Sequence, residues 1–313
     1  MPLRTICLSH SPFIGLVSPG ANIESDVRAK LSVLAEDVEG YKPDLIILIG
    51  PDHFNGFFYD LMPQFCVGAR AEAVGDYNTP AGPIATSEDL AVAFVEAMGR
   101  ENFDVAISYK MQVDHAFAQP LTALTGSLQK YPVLPLFINA TAPPRPLWAR
   151  TREFGAALGR FAAASGKRVL IVGSGGLSHD PPVPVIKDAS PEVAHALTGG
   201  GRNLAPEARK IRQERTLKAG EDFAARKGNL RDLNDDWDRA FLAVLESGKL
   251  ETFDGYTDDD VTQKAGRAAH EVRTWVAAFA AQSAAGPYQM EVLYQRPIPA
   301  WIVGMAMARA VAA

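Results

Sequence analysis

The chain has 313 residues, 47% of them hydrophobic, and a formal net charge of −5. This composition argues against disorder, and no apolar run reaches the ~18 residues that a membrane span needs. The acidic balance argues against nucleic acid as a partner, because proteins that bind polyanions usually carry a basic stripe. The N-terminal residues lack the long apolar stretch of a secretory signal, so we expect a cytoplasmic protein.

Three short apolar runs each end in turn residues followed by a histidine. The runs and their histidines are 5–8 with His10, 45–49 with His53, and 168–172 with His179. Continuous apolar runs of this length suit strands buried on both faces of an α/β sheet. Ligands of such sheets gather beyond the carboxyl ends of the strands. One histidine alone would more often be a residue satisfied near a sheet edge, but three in this position indicate a site.

Helical patterns alternate with the strand-like runs. Val27, Leu31, Leu34 and Val38 lie on one face of an amphipathic helix. Further helices are predicted after Ser87, from about Ala116 and after Pro146, and further strands at 64–67, 105–109 and 133–138. This alternation predicts an α/β domain. The loop at 75–83 is dense in turn formers and is predicted to be a surface connection.

The composition changes after Pro181, where proline-rich sequence gives way to polar helices. We interpret residues 183–257 as a helical insertion in a single domain of residues 1–313, because no linker separates them from the C-terminal part of the chain. One helix is then predicted from Asp258 to Phe279. The C-terminal segment is predicted to begin as a strand and to continue as an apolar helix at 301–307.

Two histidines and one carboxylate suggest a metal site. Glu271 borders the buried face of the predicted helix, where a carboxylate is costly unless it is paired or bound to a metal. With His10 and His53 it makes a set that suits non-haem Fe(2+) with open positions for substrate and O2. Spacing leaves alternatives open. Asp52 or Asp114 could replace Glu271, and Glu271 could instead form a salt bridge with a basic neighbour.

Five segments of the chain carry a resemblance to a known family. They are CLSHSP, GPDHFN, VDHAFAQPL, GSGGLSHDPP and HEVRTW. In this order and at these positions they closely resemble the class III extradiol catechol dioxygenases. The likeness runs from His10 to Arg296, which is nearly the whole chain, and five separate motifs make it specific.

The resemblance implies a three-layer α/β/α fold with a mixed central sheet and an Fe(2+) ion held by His10, His53 and Glu271. It implies that His115 and His179 are catalytic without being ligands. The partners would be O2 and a small-molecule catechol with a short carboxylate side chain, with no nucleic acid or membrane partner, and we expect a homo-oligomer. Asp114 and Asp180 adjoin the catalytic histidines in sequence, and either could fix its neighbour's tautomer.

Two other functions use the same residues. Histidine and carboxylate ligands also suit a zinc hydrolase with an open water position. A non-enzymatic binding protein could keep the fold, although binding alone would not need both His115 and His179. The glycine-rich turn at 173–176 lacks the full G-x-G-x-x-G pattern of a nucleotide site, and we expect it to let the backbone approach the site.

Overall fold

The computed structural model describes residues 3–227 and 230–313. The strands are β1 (Arg4–Leu8), β2 (Leu45–Gly50), β3 (Phe65–Gly68), β4 (Ala71–Val74), β5 (Ala81–Pro83), β6 (Ala106–Ser108), β7 (Met111–Val113), β8 (Val133–Ile138), β9 (Val169–Ser174), β10 (Tyr288–Ile298) and β11 (Val303–Ala312). The helices are α1 (Ala21–Tyr41), α2 (Glu88–Arg100), α3 (His115–Thr125), α4 (Trp148–Ala164), α5 (Pro191–His195), α6 (Pro206–Ala224), α7 (Asp235–Ser247), α8 (Asp258–Ala265) and α9 (Arg273–Ala284). Among the described residues, none of these helices is both long and apolar enough to cross a bilayer.

The central sheet has eight strands in the order β10-β11-β1-β9-β2-β8-β3-β6. Its middle strands, β1, β9, β2 and β8, are parallel neighbours, so their carboxyl ends meet at one edge. Antiparallel pairs join β11 to β1, β10 to β11 and β3 to β8, which makes the sheet mixed. Strands β5, β4 and β7 form a separate small sheet.

Side chains of the central strands alternate between two apolar cores. In β2, Leu45, Ile47 and Ile49 face the core that includes α4 and α9, whereas Ile46 and Leu48 face the core that includes α1 and α3. A strand buried on both faces reads as a continuous apolar run, as the sequence indicated. The three-layer α/β/α fold with a mixed central sheet is therefore confirmed.

The predicted helix at 301–307 is wrong, because most of this segment belongs to strand β11. Only a 3-10 turn, Pro299–Trp301, precedes the strand. β11 pairs with β1 on one side and with β10 on the other, and its first six residues are all buried. A short run that is apolar on both faces carries no periodicity that could separate strand from helix.

The predicted helix from Asp258 to Phe279 is divided in two. Helix α8 ends before Gly266, which has a positive φ of 101°, and a 3-10 turn, Ala269–Val272, leads into α9. A Cβ atom on Gly266 would lie 2.2 Å from the carbonyl oxygen of His179. The break therefore lets two backbone segments come together, and it places Glu271 in a turn rather than inside a long helix.

Helices α5, α6 and α7 lie between residues 183 and 257. Phe241, Leu242 and Leu245 of α7 belong to the same apolar core as α4 and α9. We propose on this basis that residues 183–257 are a helical insertion within a single domain.

Helix α4 packs closely against α9 because two glycines of α4 face α9. Cβ atoms on Gly155 and Gly159 would lie 2.2 Å from the carbonyl oxygens of Ala277 and Ala281, respectively. Side chains of ordinary size would force the two helices apart. These two glycines, one helical turn apart, therefore set the distance between α4 and α9.

Gly155→Ala is expected to destabilise the protein by ~1–3 kcal/mol, the usual cost of overpacking a core. Gly40→Ala is the matched control, because Gly40 lies in α1 with nothing within 4 Å of a Cβ atom. There the same change should be neutral or stabilise by up to ~1 kcal/mol, since alanine is the better helix former. Urea unfolding measures both, and equal effects would contradict the packing interpretation.

Candidate metal centre and active site

The five side chains predicted for the site meet at the carboxyl edge of the sheet. His10, His53 and His179 follow β1, β2 and β9, which are adjacent parallel strands. His115 is the first residue of α3, and Glu271 lies in the turn before α9. All but His53 are buried, and His53 is half-buried.

The Glu271 carboxylate lies at the centre of this group. Its Oε1 is 3.1 Å from Nε2 of His53 and 3.3 Å from Nε2 of His179, and its Oε2 is 3.4 Å from Nε2 of His10. The Gly176 amide also donates to Oε2 at 3.0 Å. One buried carboxylate thus faces three imidazole nitrogens.

His115 completes the cluster from the other side. Its ring stacks on that of His53 with centroids 4.6 Å apart, and it lies 5.4 Å from the ring of His10. One ring nitrogen from each of these three histidines lies within 4.8 Å of the other two. The donor atoms are thus close enough to one another for a metal ion to be held among them.

Each imidazole is oriented by a different partner at Nδ1. His53 donates to Oδ2 of Asp114 at 3.0 Å, and His179 donates to the Leu177 carbonyl at 2.8 Å. Nδ1 of His10 is 2.9 Å from the Ser174 hydroxyl. With Nδ1 engaged in this way, Nε2 of each of these three rings points toward Glu271. Asp114 therefore orients His53 and not its sequence neighbour His115.

Asp76 orients His115, and the sequence analysis missed it. Nδ1 of His115 donates to Oδ2 of Asp76 at 2.6 Å, while its buried Nε2 has no hydrogen-bond partner in the described parts of the chain. Asp76 is buried in the loop that was predicted to be a surface connection. Tyr77 packs against the same imidazole, with ring centroids 5.1 Å apart. A polar residue inside a turn-rich loop carried no signal of this contact.

The other carboxylates considered from the sequence are engaged elsewhere. Asp52 accepts hydrogen bonds from the backbone amides of residues 55–57, and Asp114 caps α3 as well as binding His53. Asp180 pairs with Arg267 at 2.8 Å, so it does not orient His179. Among the candidates, Glu271 is the carboxylate that contacts Nε2 of His10, His53 and His179.

The pKa shifts of the cluster favour a positive charge near Glu271. Burial alone would raise the pKa of Glu271, but His179 and His10 hold it well below its usual range. Burial likewise opposes a charge on His53, yet Asp114 and Glu271 raise the pKa of His53 well above its ordinary value. Burial lowers the pKa of His10 to about 3. The two carboxylates thus hold a proton on His53, and a bound cation would supply the same charge.

A pocket with a volume of about 520 Å³ opens onto the cluster. Its walls are mainly apolar, and the lining side chains include Phe54, Phe58, Pro181, Val183, Leu197, Trp301 and Ile302. His10, His53, His115, His179 and Glu271 all line it. An apolar pocket with a few convergent polar groups is the usual form of a small-molecule site.

The family model described as "Catalytic LigB subunit of aromatic ring-opening dioxygenase" matches residues 4–306. The chain belongs to this family. It is therefore an oxidoreductase of the ring-cleaving dioxygenase class, as the resemblance of its motifs implied. The match covers all of the residues assigned to the site.

Relatives of this dioxygenase carry closely similar sequences along their whole length. It is 49% identical over 306 residues to a protein of Cupriavidus pinatubonensis, with 98% of this chain and 97% of the relative covered. Its identity to a protein of Paraburkholderia xenovorans is 50%, with 96% and 95% covered. Both relatives are named 2,3-dihydroxyphenylpropionate/2,3-dihydroxicinnamic acid 1,2-dioxygenase. An uncharacterized protein of Escherichia coli K12 shares the fold at 14% identity, with a TM-score of 0.53 and 98% of each chain covered.

Asp238 supports the turn that carries His179. It accepts hydrogen bonds from the Ser178 amide at 2.7 Å and the Ser178 hydroxyl at 3.0 Å. Burial raises the pKa of Asp238 to about 7. Between pH ~4 and about 7, the Asp238 carboxyl is therefore protonated in the native state and ionised in the unfolded chain.

This proton predicts a pH-dependent stability. The contribution of Asp238 is fully present below pH ~4 and is lost as the pH rises through about 7, because the unfolded state ionises first. Asp238→Asn can keep both contacts without a charge, because its side-chain oxygen still accepts from the Ser178 amide and its NH2 group can donate to the Ser178 hydroxyl oxygen. Between pH 5 and 8 the wild type should lose ~1–3 kcal/mol of unfolding free energy relative to this variant, by urea unfolding. Parallel pH profiles would contradict the assignment.

Proposed function

We propose that this enzyme opens the ring of 2,3-dihydroxyphenylpropionate, and of the related 2,3-dihydroxycinnamate, beside the diol. Both atoms of O2 enter the product, which for the propionate is 2-hydroxy-6-oxonona-2,4-dienedioate. The observation that carries the proposal is the convergence of His10, His53 and Glu271 in an apolar pocket beside two further histidines. The names of the relatives supply the substrate.

We assign His10, His53 and Glu271 as ligands of Fe(2+). Two imidazole nitrogens and one carboxylate form the donor set of non-haem Fe(2+) oxygenases, which leaves positions open on one face. When bound, Fe(2+) would coordinate the two substrate oxygens and activate O2. The hydrogen bonds at Nδ1 of His10 and His53 hold both rings in the orientation that ligation needs.

We assign His115 and His179 as the acid/base pair. The reaction needs a proton removed from a catechol hydroxyl on binding and a proton supplied when the O–O bond breaks. The buried Nε2 of His115 lines the pocket without a partner among the described residues, so it can exchange a proton with a substrate oxygen. His179 lines the same pocket, and its Nδ1 hydrogen is fixed on the Leu177 carbonyl, so its Nε2 is the exchanging atom.

The purified enzyme, supplied with Fe(2+) and 2,3-dihydroxyphenylpropionate without oxygen, should remain colourless and form the yellow product once O2 is admitted. Mass spectrometry after ¹⁸O2 should find both labelled atoms in the product. A zinc hydrolase would not depend on O2. Oxygen-independent turnover, or the absence of ring-opened product, would refute the proposed reaction.

Glu271→Ala should lose iron and activity together, because it removes the carboxylate that faces Nε2 of both His10 and His53. Elemental analysis should find about one Fe(2+) per chain in the wild type. His179→Ala is the control, because the His179 side chain also contacts Glu271 but is not assigned as a ligand. This variant should retain iron. Full iron occupancy in Glu271→Ala would show that the ligand assignment is wrong.

His115→Ala and His179→Ala should fold, retain Fe(2+) and lose ~10²-fold or more in kcat, the usual scale for general acid/base groups. The wild type should show a bell-shaped pH dependence, with one limb altered in each variant. Asp76→Asn should lower kcat with iron retained, since it weakens the hydrogen bond that orients His115. Loss of iron in either histidine variant would make that residue a ligand instead.

A further inference from the structure

Helix α6 crosses the pocket and brings three arginines to it. Arg209, Arg212 and Arg215 occur at three-residue intervals, and all three line the pocket. The helix is fixed near its other end, where Gly220 lies so close to the Phe13 ring that a Cβ atom would be 2.3 Å from Cε1. Among the described residues that line the pocket, these guanidinium groups are the permanent positive charges.

Two of the three guanidinium groups already bind the protein. Arg212 donates to the Phe54 carbonyl at 3.1 Å and also to the His53 carbonyl, which ties α6 to the loop after β2. Arg209 donates to the Val74 carbonyl at 3.4 Å. Both contacts position the helix over the metal centre.

Arg215 differs from both. It lines the pocket, and within residues 3–227 and 230–313 it has no hydrogen bond and no ion pair. The acidic side chains that line the same pocket are engaged, Glu271 by histidines and Asp76 by His115. The five N–H donors of Arg215 are therefore free to meet an anion brought in by a ligand.

We propose that Arg215 binds the side-chain carboxylate of the substrate and thereby selects catechols that carry such a side chain. This rests on the proposed function, which places the diol at the histidine cluster and directs the side chain away from it. A planar guanidinium matches a carboxylate through two parallel hydrogen bonds. Arg215 both lines the pocket and is solvent-exposed, so the charged end of the substrate would stay partly hydrated while its ring is buried.

The test compares two substrates that differ in the carboxylate, 2,3-dihydroxyphenylpropionate and 3-propylcatechol. In Arg215→Gln the ratio of their kcat/KM values should fall ~10- to 100-fold, mainly through KM for the propionate, since a hydrogen-bonded charge pair has this effect. Lys210→Gln removes a positive charge from an exposed position of the same helix that does not line the pocket. That control should keep the wild-type ratio, and Arg215→Lys should recover part of it.

A binding measurement separates this inference from the reaction itself. Calorimetry with 3-phenylpropionate and its neutral amide needs neither the diol nor turnover. Wild type should prefer the acid, and Arg215→Gln should lose that preference. If the preference depends on Arg215 but no catechol is opened, the carboxylate site stands and the proposed reaction falls. An unchanged substrate ratio in Arg215→Gln, or a loss found in Arg209→Gln instead, would overturn the assignment to Arg215.

Discussion

The buried carboxylate of Glu271 is the group on which the arrangement of the site depends. A carboxylate removed from water costs several kcal/mol unless its charge is met at close range. Strands β1, β2 and β9 end at one edge of the sheet, and the histidines that follow them place three imidazole nitrogens within 3.4 Å of the Glu271 carboxylate. Asp114 and Glu271 raise the pKa of His53 well above its ordinary value, which favours a positive charge beside the carboxylate. A divalent ion would satisfy the same carboxylate and leave the imidazoles neutral, which is the form in which histidine binds metal.

The four histidines of the cluster are the same residue type placed in four different environments. Their Nδ1 contacts are Ser174 for His10, Asp114 for His53, Asp76 for His115 and Leu177 for His179. Every contact directs Nε2 into the site, so the ring orientation does not depend on an ion being bound. His10 and His53 reach the carboxylate from β1 and β2, the strands on either side of β9, whereas Nε2 of His115 has no hydrogen-bond partner among the described residues.

The sequence predicted the parts of the fold and site that depend on local pattern. Apolar runs stopped by turn residues located His10, His53 and His179, because parallel strands deliver the residues at their carboxyl ends to one edge of the sheet. It could not predict Asp76, whose role depends on where a loop packs and not on its composition. It also misassigned most of 301–307, where burial on both faces removes periodicity. The break at Gly266 depends on the position of His179, more than 80 residues away in the chain.

Backbone packing fixes Glu271 relative to His179. A Cβ atom on Gly175 would lie 2.6 Å from the Glu271 carbonyl oxygen, and one on Gly266 would lie 2.2 Å from that of His179. The two turns thus interlock. Hydrogen bonds from Thr274 to the Ser174 carbonyl and from Trp275 to the Gly175 carbonyl, each 2.9 Å, hold α9 against the same turn. A site held in this way has already met the entropic cost of ordering its ligands, so metal and substrate bind to a nearly finished geometry.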